Sequence, residues 1–103
     1  MMESVLTRHI ASETPRVMVV DGSKVVRRLI EQLLKADLPG VTVLSCETGA
    51  EAKHQLEAGV VDLVTTALRL PDMDGLELAR YVREHAPQAY IPIVIVSGES
   101  TSA

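Results

Sequence analysis

Neither phenylalanine nor tryptophan occurs in the 103 residues, and two tyrosines supply all of the aromatic content. A stacking site for a flavin therefore has almost nothing to be built from. Cys46 is the only cysteine, which rules out an intrachain disulfide and a cysteine-built zinc knuckle and makes a reducing cytoplasm the expected location. Cys46 itself reads as a small buried hydrophobe rather than a redox thiol. No apolar run is long enough to span a membrane, and Met1–Pro15 has no apolar core of the kind a signal peptide needs, so neither membrane nor secretion is expected. Bulk positive charge is missing too: the formal net charge is -4, which implies no nucleic-acid surface. The first strand–helix turn, Asp21-Gly-Ser-Lys24, lacks the glycine-rich phosphate loop of nucleotide-binding folds.

What is present is aliphatic. Hydrophobic residues make up 47 % of the chain, largely Val, Leu, Ile and Ala, the composition of a parallel sheet clad in helices. After a lead-in, residues 1–15, read as a flexible segment or short packing arm, the remaining residues 16–103 read as one domain. Arg16–Val20, Val41–Leu44, Asp62–Ala67 and Ile91–Val96 read as strands, the last with Pro92 near its start. Between them, apolar residues at the helical period predict helices over Lys24–Lys35, Gly49–Glu57 and Leu76–His85. The first would turn Val25, Val26, Leu29, Ile30, Leu33 and Leu34 inward, the second would be carried by Ala50, Ala52, Lys53 and Leu56, and the third would turn Leu76, Leu78, Ala79 and Val82 inward. Asp21 or Ser23 would cap the first helix, a Thr48–Glu51 capping box the second, and Asp74 the third. The order βαβαβαβ predicts an α/β, doubly wound parallel sheet with right-handed crossovers, incomplete at four strands and three helices.

Three blocks then resemble the receiver domain of two-component response regulators: VMVVDGSKVVRRLIEQLL, VDLVTTALRLPDMDGLELARYVRE and PIVIVSGES. That resemblance implies a flavodoxin-like (CheY-like) fold of five strands and five helices, of which this chain would carry a part. It also implies magnesium-assisted aspartyl phosphorylation at the C-terminal edge of the strands. Carried over residue by residue, the first of the two metal-binding acids is Asp21 and the second is Gly22. The phosphoacceptor position is Ala67. The residue whose backbone carbonyl would reach the metal is Arg69, and the switch hydroxyl is Ser97, followed by Gly98. The family's lysine after a fifth strand falls beyond Ala103. Pro71, Asp74 and Gly75 match the family's structural loop.

A methyl group cannot attack phosphorus, and Mg2+ needs hard oxygen ligands that Gly22 and Ala67 do not supply. No catalytic residue, no phosphoacceptor and no cofactor are expected, with Asp21 the one weak metal candidate. The leading expectation is a degenerate, phosphorylation-independent pseudo-receiver that works by protein–protein contact and regulates an output domain beyond the chain. A receiver phosphorylated by a histidine kinase at a non-standard residue (Thr65, Thr66, Asp72 or Asp74) is the alternative, and a cofactor-binding enzyme of flavodoxin-like shape is a distant third. Asp72 and Asp74 read first as cap and turn residues, and Asp21 as a helix cap or the salt-bridge partner of Arg69. His9, His54 and His85 do not cluster. Lys24, Arg27, Arg28 and Lys35 make a basic stripe, read as a solvated face with docking of a kinase or partner domain as the other reading. The apolar face left by Val94 and Val96 predicts self-association or domain exchange.

Overall fold

Seven elements alternate along the chain in the computed structural model, which describes residues 14–85 and 90–97. They are β1 (Arg16–Val20), α1 (Lys24–Asp37), β2 (Thr42–Cys46), α2 (Gly49–Ala58), β3 (Leu63–Ala67), α3 (Gly75–Glu84) and β4 (Ile93–Val96). The strands form one parallel sheet in the order β2-β1-β3-β4. Both central strands are buried almost throughout, as their unbroken Val-rich runs require.

Alternation along the strands divides the core into two. Met18, Val20, Cys46 and Val64 pack with Ala52 and Leu56 of α2 and Leu78 and Val82 of α3. Val17, Val19 and Leu63 point the other way and pack with Leu38, Ile30 and Leu34 on the side of α1. Each fully buried Val or Leu contributes about 1.5–3 kcal/mol of transfer free energy.

The helix starts follow the sequence signals closely. Ser23 Oγ accepts from Val26 N (3.2 Å), Thr48 Oγ1 from Glu51 N (3.0 Å) and Asp74 Oδ1 from Glu77 N (2.8 Å). Glu51 also reaches back, but to the N–H of Glu47 (2.7 Å), one residue before the cap. The stop after α1 is at Gly40, whose φ of 85° is the left-handed conformation that glycine adopts without cost.

Several expectations need correcting. β2 runs two residues further than its apolar run suggests, because Ser45 and Cys46 pair in register with Val19 and Val20. β4 begins at Ile93, after Pro92, and α1 extends to Asp37. Ala50 is exposed, because the buried side of α2 is made by Gly49, Ala52 and Leu56. Leu76 is 54 % exposed, because the side of α3 turned to the core is that of Leu78 and Val82, with Tyr81 partly buried beside them. On α1 no residue is fully buried. Val25, Leu29 and Leu33 are 76, 56 and 60 % exposed, whereas Ile30 and Leu34 touch the sheet. Residues 1–13 of the lead-in, including His9, lie outside the described residues, as does Gly98; Pro15 is described, and its carbonyl accepts from Thr42 N (2.8 Å).

Candidate functional site

Three strand ends meet at the C-terminal edge of the sheet. β1 runs out at Asp21, β3 at Ala67 and β4 at Ser97, and the register sets Val20 beside Thr66 and Ala67 beside Val96. Parallel packing thus brings together the positions that the sequence marks as Asp21, Gly22, Ala67 and Ser97, with Arg69 two residues past the end of β3.

Backbone bonds fix the rim. The N–H of Asp21 donates to Cys46 O (3.0 Å) and that of Leu68 to Val96 O (3.2 Å). Asp21 Oδ1 accepts from Ser23 N (2.8 Å), so the carboxylate shapes the turn while Ser23 serves as the cap of α1. Arg27 Nη1 donates to the carbonyl of Asp21 (2.6 Å) and its Nε to Ser45 Oγ (3.0 Å). That clasp is not foreseeable from the sequence, where Arg27 reads as one of four basic residues on a helix. The same stripe loses Lys35 to an i,i+4 pair with Glu31 at 2.9 Å.

The β3–α3 loop is built with equal care. Leu70 N donates to Met73 O (2.8 Å) and Gly75 N to Leu68 O (2.6 Å). A Cβ at Gly75 would run into the carbonyl oxygen of Ala67, so only glycine fits there. Asp72 accepts from Gly49 N and Ala50 N, both at 2.9 Å, one on each carboxylate oxygen. Those two bonds, the Gly49 bond foremost, hold its carboxyl below the ordinary carboxylate range. Asp72 and Asp74 are therefore cap residues for two different helices. The spacing from Asp72 to Gly49 spans 23 residues, and nothing in the local sequence announces it.

The donors present do not fit a divalent metal of the receiver type. Asp21 offers one carboxylate. Ala67 has none, and a Cβ at Gly22 would already sit 3.2 Å from Pro71 Cγ and 3.3 Å from its Cδ, tighter than ordinary contact. Among the described residues no group of three or more His, Cys, Asp or Glu side chains is arranged to hold a metal ion. The exposed Arg69 places positive charge next to the same edge. Cys46, behind the rim, is 2 % exposed, and burial first, then Glu51, raises its thiol to about 11, which removes it as a nucleophile near neutral pH. Thr66 Oγ1 donates to Ala67 O (3.0 Å). Thr65 points to the α1 side of the sheet, level with Val19 and Val94, away from the loop. No described helix is long and apolar enough to cross a membrane.

Comparison with known proteins agrees with this geometry. Residues 17–103 match the response regulator receiver domain family. Over 87 residues the chain is 34 % identical to the protein-glutamate methylesterase/protein-glutamine glutaminase 2 of Koribacter versatilis (strain Ellin345), covering 84 % of this chain and 23 % of that protein. Over 91 residues it is 34 % identical to the autoinducer 1 sensor kinase/phosphatase LuxN of Vibrio campbellii (strain ATCC BAA-1116), covering 88 % of this chain and 10 % of the relative. It thus spans less than a quarter of either protein. The signal receiver domain of an HD domain-containing protein from Pseudomonas fluorescens Pf-5 superimposes with a TM-score of 0.75 at 27 % identity, over 88 % of this chain and 64 % of that one. The parallel four-stranded sheet, the loop built on Pro71, Asp74 and Gly75, and these likenesses lead to one conclusion: the chain belongs to the response regulator receiver domain family.

Proposed function

We propose that this receiver is a pseudo-receiver, a signalling module that works without phosphorylation and transmits by protein–protein contact. It would regulate an output domain beyond its own C-terminus. The observation that carries the reading is Ala67. At the end of β3, beside Asp21 and Ser97, the group that would attack phosphorus is a methyl, which has no lone pair to donate. Asp21 alone, with no side-chain oxygen at Gly22, gives magnesium one carboxylate and water, too few fixed ligands for useful affinity. The loop is nevertheless kept in shape by Gly75, Asp72 and Asp74, which suits a surface that partners read by its form. The partners proposed are other signalling domains, histidine kinases among them, as the sensor kinase/phosphatase relative suggests.

Incubation with a small-molecule phosphodonor and Mg2+, followed by intact mass, tests the reading. The expected result is no gain of a phosphoryl group. A stable gain, abolished by substituting a single acceptor such as Asp72 or Thr66, would overturn it in favour of an unusual phosphoacceptor.

A further inference from the structure

Four methionines occur in the chain, and the two described ones sit in opposite settings. Met18, in the middle of β1, is fully buried. Met73, in the β3–α3 loop, is half-buried and packs against the core beneath α2 and α3. Its Cγ, Sδ and Cε lie so close to Gly49 that a Cβ on that residue would collide with all three. The thioether thus lies flat on the first residue of α2, where any side chain would displace it. Next to it, Asp72 holds the amides of Gly49 and Ala50, both at 2.9 Å. Two neighbouring residues of one loop, one apolar and one anionic, therefore grip the same turn of helix. The joint crosses the end of β1, from the loop after β3 to the helix after β2, on the half of the sheet away from β4.

We propose that Met73 is a redox latch: its oxidation to the sulfoxide by a hydroperoxide releases the β3–α3 loop from the start of α2. A lone pair on Sδ attacks the terminal peroxide oxygen, and the S–O bond forms as the O–O bond breaks. The departing oxygen takes the proton from the transferred one, so sulfur loses two electrons and the hydroperoxide leaves as an alcohol or water. The new oxygen is a strong acceptor in a seat that offers it no donor. One side is aliphatic core, and the Gly49 N–H is already bonded to Asp72. Burying an acceptor unpaired is costly, so the side chain turns out to water. The loop is short and tied on either side, by Leu70 N on Met73 O (2.8 Å) and by Asp74 at the start of α3. A shift at Met73 is therefore passed to Asp72, and its two bonds to α2 open. The latch rests on Met73, Asp72 and Gly49 rather than on Ala67, so its failure leaves the phosphorylation reading untouched.

Hydrogen peroxide on the folded 103-residue chain, followed by peptide mapping and amide exchange, is the test. Trypsin puts Met73 in Leu70–Arg80 and Met18 in Val17–Lys24, so the two are read separately. Met73 should be oxidised about tenfold faster than Met18 or more, as its exposure requires. The oxidised protein should keep its far-ultraviolet circular dichroism. Its Gly49 and Ala50 amides should exchange about tenfold faster, while those of β1 and β3 do not change. Methionine sulfoxide reductases of both epimer specificities should restore the slow rates. Met73→Leu, which conserves volume, should start with the same protection and lose none of it in peroxide. Unchanged Gly49 and Ala50 amides at full Met73 oxidation overturn the proposal, as does opening that spreads to β1 and β3 or that still occurs in Met73→Leu.

Discussion

Ala67 ends β3 with a single methyl carbon, and its surroundings are arranged around its backbone more than its side chain. Its carbonyl oxygen accepts from Thr66 Oγ1 and stands where a Cβ on residue 75 would have to go. Gly75→Ala should therefore destabilise the fold by about 2–3 kcal/mol, the cost of overpacking a rigid contact, measured as a lower urea midpoint. Restoring chemistry needs more than Ala67→Asp. With Gly22 unchanged the metal would still find too few carboxylates, so the single variant should bind Mg2+ only weakly. Ala67→Asp with Gly22→Asp should bind about tenfold more tightly in a calorimetric titration, three carboxylates then meeting at one edge. Part of that gain is offset by moving Pro71 a few tenths of an ångström.

Cys46 gives a pH-dependent expectation. Its thiol is raised to about 11 from an ordinary value of 9.0, so the folded protein holds the proton more tightly than the unfolded chain. The associated stability is complete below the unfolded value and is lost as pH rises towards the folded one. Thiol labelling near pH 8 should be slow in the native protein and rapid in urea. Native labelling at the denatured rate would show that the β2 end is open.

At the scale of elements, the same residue type carries opposite weights. Leu78 is fully buried under α3 and Leu76, two residues away, is half exposed. Leu78→Ala should cost about 2–5 kcal/mol and Leu76→Ala no more than about 0.5 kcal/mol, compared by chemical denaturation. Asp72 ties α2 to the β3–α3 loop. Asp72→Ala frees two amides of α2 and should cost about 1 kcal/mol, the usual worth of an exposed cap. Because the Asp72 carboxyl is held below its ordinary value, its contribution is present above the unfolded carboxylate range. It fades as pH falls through the lowered one. The difference between parent and variant should thus be full at neutral pH and shrink in acid.

Across the whole molecule, the sheet is covered unevenly. Among the described residues, α2 and α3 close one face over Met18, Val20 and Val64, α1 is the helix packed on the other, and β2 and β4 are the outer strands. Amide exchange should accordingly be slowest in β1 and β3 and fastest, among the strands, in β2 and β4.

The chain alone determined the alternation of strand and helix, because period-2 and period-3.6 apolar patterns report burial locally. It also determined the caps at Thr48 and Asp74 and the identity of every residue at the strand edge, including the missing carboxylate at Ala67. Tertiary structure decided what depends on partners far along the chain. Ser45 and Cys46 became strand because β1 lies alongside. Asp72 became a cap for a helix it follows by more than twenty residues. Arg27 became a clasp, and Gly22 came to lie where a Cβ would crowd Pro71. The inward reading of Val25, Leu29 and Leu33 failed for the same physical reason. Periodicity shows that a helix has an apolar side, but only packing shows how much of that side another element covers.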